Sequence, residues 1–242
     1  MGSLLQNTIF GKHKTLDFSQ NLVAYYKFDS NLNDTIAGKN GSNYNITYDS
    51  GIIGQAAVFN SASASVIEIP NHDVFNFSDG VNDIPFSISF WIYSTDNTTS
   101  QTLMYKANAG YNMQYVMQKL SGGQMTMALL SGNDGNLIRR AGGFTDLNTW
   151  VHFCFTYDGS KSANGLRWYK NGVLTQTEGT ATGNYTGMPV TGENIFIGRV
   201  SWTWVFFLNA KLDEFYIWKN RELTPIEIAY AYNNGISGKI LL

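Results

Sequence analysis

Cysteine and charge are scarce in this sequence. Cys154 is the single cysteine among 242 residues, which excludes an internal disulfide framework and a zinc site built from cysteines. Charged residues make up 14% of the chain, and 16 basic against 18 acidic side chains give a net charge of −2. General nucleic-acid binding and attachment to an anionic membrane both need a basic surface, so we expect neither. No apolar run approaches the length that spans a bilayer.

Aromatic residues and short strand patterns are abundant instead. The chain has 15 Phe, 14 Tyr and 6 Trp, enough apolar area to offset the entropy lost on folding. Residues 86–93 and 150–157 alternate between apolar and polar side chains, as strands with one wet face do. Residues 166–175 predict a hairpin around Asn171-Gly172, the dipeptide typical of a type I′ turn. About a dozen such segments between turn signals predict an antiparallel β-sandwich or jelly roll in a single domain.

One helix is predicted, close to the C-terminus. Thr224 is a good N-cap, Pro225 suits the first helical position, Glu227 completes a capping box and Gly235 can end the helix. Three residues give this helix an apolar side: Ile226, Ala229 and Tyr230.

Five sequence blocks, in this order, resemble the laminin-G-like, concanavalin A-like jelly-roll domains. The blocks are residues 22–29, 51–59, 86–92, 150–159 with 169–173, and 197–199 with 212–228. The resemblance implies an all-β, antiparallel sandwich with one short C-terminal helix over residues 21–242. It also implies a non-catalytic module that binds glycans or proteins and often carries calcium. Residues 1–20 lie outside the resemblance and are predicted to be an arm or docking segment.

A calcium site is the first candidate. Asp29, Asn31 and Asp34 crowd one short loop, and calcium takes carboxylate, amide and carbonyl oxygens as ligands. In similar family members a structural calcium sits near this loop and the last strand, where Asp213 is the matching residue. The alternative is an Asx-turn, in which the same side chains cap their own backbone.

An aromatic platform is the second candidate. Trp202 and Trp204 lie in a loop where the family pattern lapses, and in an extended segment their indoles share one side, which Phe206 continues. Arg199 lies nearby in sequence. Sugar rings stack on such aromatic side chains while polar groups bind their hydroxyls. Tyr105 and Tyr111 are further candidates for the ligand-binding surface.

The platform has two alternative interpretations. The aromatic side chains could pack in the core, as the strands of a sandwich require. An exposed tryptophan pair also suits contact with another subunit, including a second copy of this chain.

Catalysis is not expected. Adjacent strand residues point to opposite faces, so Asp213 and Glu214 are predicted not to share one cleft as a glycosidase requires. His152 lies inside an alternating strand and is predicted to be a structural residue with its hydrogen bonds satisfied.

The setting is predicted from the N-terminus. Residues 1–8 lack the basic and apolar regions of a secretory signal. We therefore expect a virion surface protein, such as a capsid decoration, knob or fibre tip, that binds a glycan or cell-surface receptor and contacts other virion subunits through residues 1–20. Three alternatives remain: a purely structural assembly protein, a glycan-cleaving enzyme, and an extracellular domain excised from a larger secreted protein.

Overall fold

A computed structural model describes residues 16–107, 112–132, 135–200 and 206–242. This part of the chain contains sixteen strands, one α-helix and three single-turn 3₁₀ helices at Ser61–Ser63, Asp73–Phe75 and Ala163–Gly165. In chain order the longer elements are β1 Leu22–Tyr26, β2 Ser42–Tyr44, β3 Thr47–Ser50, β4 Gln55–Phe59, β5 Val66–Ile69, β6 Phe86–Ser94, β7 Gln101–Lys106, β8 Met113–Leu120, β9 Gln124–Gly132, β10 Leu137–Gly143, β11 Trp150–Tyr157, β12 Leu166–Lys170, β13 Val173–Leu174, β14 Thr180–Thr182, β15 Ile195–Ile197, β16 Ala210–Lys219 and α1 Pro225–Ile236.

The strands form two antiparallel sheets of eight strands each. Sheet I has the order β13-β12-β11-β6-β16-β4-β3, with β1 paired to the other half of β16. Sheet II has the order β14-β10-β9-β8-β7-β15-β5-β2. This architecture confirms the predicted antiparallel sandwich with one C-terminal helix.

The main core lies between the two sheets. Alternate residues of each strand face inward, so the core of the sandwich is built from the inner faces of both sheets. Aromatic rings fill much of it, and Phe77 and Phe86 stack with their centroids 4.0 Å apart. A second apolar cluster lies on the outer face of sheet I beneath α1, and it includes Phe18, Tyr25, Trp218 and Ile228.

The predicted hairpin and helix start are both confirmed. Asn171 and Gly172 have φ values of 50° and 80°, as a type I′ turn requires, and they connect β12 to β13. At the start of α1, the Thr224 backbone N–H donates to the Glu227 carboxylate at 2.8 Å, and the Glu227 N–H donates to the Thr224 hydroxyl at 3.3 Å. This is the predicted capping box.

The predicted side and end of α1 are wrong. The helix buries Ile228, Ala231 and Gly235 against sheet I, whereas Ile226 is 74% exposed. Gly235 lies inside the helix, which ends at Ile236, and a Cβ atom at this position would come within 2.6 Å of the Trp91 ring. The glycine therefore allows a close approach of α1 to the sheet instead of ending the helix.

Three exposed edge segments, β2, β3 and β14, are the strands that the sequence pattern did not predict. The predicted arm of residues 1–20 lies outside the described residues as far as residue 15. Its last residues belong to the sandwich, because Phe18 is buried and its carbonyl accepts a 2.8 Å hydrogen bond from the Trp218 indole. Within the described part of the chain, none of the helices has the length and apolar character needed to cross a membrane.

Candidate functional site

The predicted aromatic platform falls only partly within the structure. Trp202, Trp204 and Tyr111 lie outside the described residues. The residues on both sides of the tryptophan pair are described. Phe206 on one side lines a cleft, and Arg199 on the other side belongs to a surface patch.

The loop-end cleft lies where four connections meet at one end of the sandwich. They join β4 to β5, β6 to β7, β8 to β9 and β15 to β16. The cleft is open, has a volume of about 560 Å³, and is lined by five hydroxyl side chains and two aromatic rings: Ser61, Thr98, Thr99, Ser100, Ser121, Phe206 and Phe207. Ligand sites in proteins commonly combine an apolar surface with a few polar groups in this way.

Asp96 braces the hydroxyl side of the cleft. Its carboxylate accepts hydrogen bonds from the Thr98 hydroxyl at 2.6 Å and backbone N–H at 2.8 Å, from the Thr99 hydroxyl at 3.1 Å and from the Gln101 amide at 3.2 Å. The hydrogen bond from the Thr98 side chain is the main cause of the lowered pKa of Asp96. The buried Lys119 ammonium donates to the Asp96 carbonyl, so the loop is held from below.

Phe206 and Phe207 form the aromatic side. Phe206 is 37% exposed, and its carbonyl accepts a 2.8 Å hydrogen bond from the Thr102 N–H of β7. The Asn209 N–H donates to the Gln101 side chain at 3.0 Å. Sheet II and the Asp96 loop therefore fix the backbone that carries these rings.

Arg199 and Tyr105 come close together on the outer face of sheet II. Phe196 of β15 pairs with Tyr105 of β7, and the Arg199 guanidinium carbon lies 4.5 Å from the centroid of the Phe196 ring. Burial lowers the pKa of Arg199. Tyr105 is 3% exposed and packs in an apolar cluster with Phe196 and Phe207. The expectation of an exposed Tyr105 ring is therefore wrong: Tyr105 supports this surface from beneath.

The four predicted calcium ligands do not assemble into one site. Both Asp34 oxygens accept backbone N–H groups, those of Tyr25, Ile36, Ala37 and Lys39, at 2.9–3.1 Å. Asn31 accepts from the Asn33 N–H two residues on. The bonds from Ile36 to Asp34 and from Asn33 to Asn31 are those of the Asx-turn alternative.

Asp29 and Asp213 approach the same loop, residues 51–55, from two sides. Asp29 accepts the Gln55 N–H at 2.8 Å, and Asp213 accepts those of Ile52 and Ile53 at 2.9 and 3.1 Å. In the described part of the chain, no group of three or more His, Cys, Asp or Glu side chains could hold a metal ion. N–H groups directed at these oxygens do not fit a calcium centre, and calcium binding stays a prediction that EDTA treatment tests.

Asp213 and Glu214 contradict the strand alternation predicted for them. Between Asp213 and Tyr216, β16 has one more residue than β6 opposite it, and Glu214 takes a φ of 51°. Leu212 and Phe215 both face the core, so this bulge places the two carboxyl groups on the outer face of sheet I. The argument that they cannot share a face is therefore wrong.

Both carboxyl groups are nevertheless buried and hydrogen-bonded. Glu214 accepts from the Tyr25 hydroxyl at 2.7 Å and the Tyr216 hydroxyl at 2.5 Å. Burial raises the pKa of Asp213 to about 8 and also raises that of Glu214. Glu214 lies beside Lys239 and Leu241 of the C-terminal segment, around a space of only about 10 Å³.

His152 lies beside Glu214, in a small cavity of about 10 Å³ beneath α1. Its Nε2 atom lies 2.8 Å from the Ser89 hydroxyl, whereas Nδ1 has no hydrogen-bond partner among the described residues. Burial lowers the pKa of His152 to about 3. The residue is structural, as predicted, but only one of its nitrogens is satisfied.

The cleft hydroxyls are the site residues that the sequence did not reveal. Ser61, Thr98, Ser100 and Ser121 come from three separate connections and carry no motif. Only Phe206, beside the tryptophan pair, gave a signal in the sequence.

Solved structures with the same fold include the binding domain of Paraclostridial Mosquitocidal Protein 1. It aligns with a TM-score of 0.68 at 20% identity, over 90% of this chain and 53% of that chain. The binding domain of Botulinum Neurotoxin DC in complex with SialylT aligns with a TM-score of 0.66 at 17% identity, over 90% of this chain and 52% of that chain. This chain thus spans about half the length of these toxin domains.

A third similar structure matches over nearly its whole length. Domain 4 of AbnA, a GH43 extracellular arabinanase from Geobacillus stearothermophilus, was solved in complex with arabinotriose. It aligns with a TM-score of 0.56 at 22% identity, over 87% of this chain and 97% of that chain. At these identities, the three structures show a shared fold.

None of the curated proteins compared with this sequence matches it. One family model does match, and it covers residues 61–229, which is more than half of the chain. The matched residues include all the strands of sheet II except β2. They also include β16, which carries Asp213 and Glu214, and β11, which carries His152. The chain therefore belongs to the laminin G family of the concanavalin A-like lectin/glucanases superfamily.

Proposed function

We propose that this chain is a non-catalytic binding module that recognises glycans, or a glycan-bearing receptor, through the loop-end cleft. One observation carries the proposal: the partly exposed ring of Phe206 lies beside five hydroxyl side chains in a cleft braced by hydrogen bonds. An aromatic ring offers an apolar face to the C–H groups of a sugar, and hydroxyl groups exchange hydrogen bonds with its hydroxyls.

The position of the cleft supports this proposal. Connections at the end of a rigid sandwich are where such folds commonly carry their binding residues. Two of the similar structures were solved in complex with SialylT and with arabinotriose, respectively. The buried carboxyl pair on the opposite sheet is hydrogen-bonded within the protein, which supports binding without cleavage.

The experiment is a glycan array that carries both neutral oligosaccharides and sialylated glycans. We expect the full chain to be retained on a subset of glycans, and Phe206→Ala to reduce retention at least tenfold while the Tm changes by less than about 2 °C. Tyr230→Ala is the matched control, because that ring is 47% exposed on α1, across the sandwich from sheet II. No retention by the wild type, or equal retention by Phe206→Ala, refutes the proposal.

The array also tests the enzyme alternative. Mass spectrometry of the oligosaccharides after overnight incubation with the protein should show no shortened product. A product that disappears in Glu214→Gln would support a glycan-cleaving enzyme instead.

The virion surface remains the setting that we propose, with an excised extracellular domain as the alternative. Neighbouring genes discriminate between them. Capsid or tail genes would support the virion, and a secreted enzyme in the same reading frame would support the excised domain.

A second candidate function, assembly, is favoured by an exposed apolar patch. Ile226 of α1 is 74% exposed, and Val173 and Leu174 of β13 are 67% and 51% exposed. Such patches commonly mark contacts with other proteins. Light scattering on the wild type and on Ile226→Glu tests this function, since only an assembly contact through this patch makes the measured mass depend on that residue.

A further inference from the structure

A second polar depression, the β10 groove, lies beside the loop-end cleft on the outer face of sheet II. It has a volume of about 130 Å³, room for only part of a ligand. Its floor and walls are formed by Leu120, Gln124, Thr126, Arg139, Arg140, Ala141, Thr177, Glu178 and Thr180.

The far wall of the groove is fixed by the buried Arg140. Its guanidinium donates to the Thr177 and Ala163 carbonyls, both at 3.2 Å, and to the Asn164 side chain at 3.1 Å. The Thr177 N–H also donates to the Ala141 carbonyl at 2.7 Å. All these partners are protein groups, so the groove keeps its shape without a ligand.

Two opposite charges face solvent in this groove without partners. Arg139 and Glu178 are both exposed, and neither side chain forms a hydrogen bond or ion pair with any other residue that the structure describes. A guanidinium donates and a carboxylate accepts, so together they can bind neighbouring hydroxyl groups. Their charges offset each other, the Arg140 guanidinium is turned to oxygens of the protein, and the cleft lining carries no charge. This composition favours a neutral ligand over an acidic one.

The groove and the cleft are neighbours. Leu120 lines the groove and the next residue, Ser121, lines the cleft, so the β8–β9 hairpin separates the two. A single cross-strand row connects them across four strands: Thr102, Gln118, Thr126 and Ala141. At one end of this row the Thr102 N–H donates a hydrogen bond to the Phe206 carbonyl. At the other end the Ala141 carbonyl accepts one from the Thr177 N–H. At ~4.8 Å per strand the row is about 14 Å long.

We propose that the ligand is a neutral, linear oligosaccharide that occupies both the loop-end cleft and the β10 groove across the β8–β9 hairpin. One end stacks on Phe206, and hydroxyls near the other end bind Arg139 and Glu178. This inference rests on the proposed function and adds the class and minimum length of the glycan, since a disaccharide is too short to reach both depressions.

The experiment measures Kd against length. The probes are cello-, xylo-, arabino- and malto-oligosaccharides of two to six residues, with sialyllactose as the acidic comparison, in isothermal titration calorimetry. We expect at least one neutral series to bind, and its hexasaccharide to bind at least tenfold more tightly than its disaccharide. The double variant Arg139→Ala/Glu178→Gln should lose that gain and leave disaccharide binding within twofold.

Controls separate this inference from the proposed function. Phe206→Ala should weaken binding at every length, whereas Lys39→Ala, which removes a charge outside both depressions, should change nothing. If glycans are retained on the array but affinity stops rising at two residues, or the groove variant binds the hexasaccharide like the wild type, only this inference is wrong. Preference for sialyllactose also refutes it. If no glycan binds in either experiment, both proposals fail.

Discussion

His152 gives the sharpest prediction about stability. Its side chain is buried beneath α1, with Nε2 on the Ser89 hydroxyl and Nδ1 without a partner among the described residues. The ionisable neighbours in its cavity are Glu214, Tyr216 and Lys239. Since the native state holds the imidazole neutral, acid should favour the unfolded chain, and His152→Gln should remove that acid sensitivity.

The magnitude follows from the pKa of His152. The folded-state pKa is about 3, against about 6.5 for an unfolded histidine. A lowered histidine pKa contributes stability that is fully present above pH 6.5 and is lost as the pH falls toward 3. Between pH 8 and pH 4, unfolding of the wild type should become easier by about 3 kcal/mol through this residue alone.

Asp213 acts in the opposite direction, so a difference between variants is needed. Burial raises its folded pKa to about 8, and its protonation as the pH falls stabilises the native state. Urea unfolding followed by tryptophan fluorescence at pH 8, 6, 5 and 4 should compare the wild type with His152→Gln. His72→Gln, at an exposed histidine, controls for the substitution itself.

The result is read from the change with pH and not from the stability at one pH. The wild type should lose about 3 kcal/mol more than His152→Gln between pH 8 and pH 4. Parallel curves for the two proteins would refute the assignment of a neutral, buried imidazole.

Three further substitutions test the packing. Asp34→Ala removes an acceptor of four backbone N–H groups and should cost about 3 kcal/mol in urea unfolding, whereas a loss below about 1 kcal/mol would show that water replaces it. Thr224→Ala removes the N-cap of α1 and should cost about 1 kcal/mol, or about 2–4 °C in Tm by calorimetry. Ile228→Ala should cost about 2–5 kcal/mol and Ile226→Ala less than about 0.5 kcal/mol, and equal losses would contradict the observed side of α1.

Local signals in the sequence predicted most of the fold. Strand β11 runs over Trp150–Tyr157, the residues that alternation indicated, and the Asn171-Gly172 turn and the Thr224 cap are both present. These features depend on neighbours in sequence, through side-chain alternation, positive φ and capping hydrogen bonds. The short edge strand β14 has no such pattern, because its three residues are all exposed.

Tertiary contacts overturned the predictions made for single side chains. Apolar spacing placed Ile226 and Tyr230 on the packed side of α1, yet the helix turns Ala231 and Gly235 toward Trp91. Small residues allow this close approach, but the spacing of large apolar residues does not predict that they face the sheet. The bulge at Glu214 likewise has no local signal, since its φ of 51° is stabilised by tyrosine hydroxyls from β1 and β16.

The candidate site shows why the binding residues were the hardest to predict. The cleft and the groove each combine segments that are distant in the chain, and neither contains a motif. The order of sheet II brings these segments together, because it places β7 to β10 side by side. Phe206 and Thr177 therefore lie at opposite ends of one row of paired strand residues. Because the proposed ligand crosses the β8–β9 hairpin between the two depressions, it would contact side chains from several strands. Its specificity would then be distributed over Ser, Thr and Gln side chains that look unremarkable in sequence, and it would show only in the dependence of affinity on ligand length.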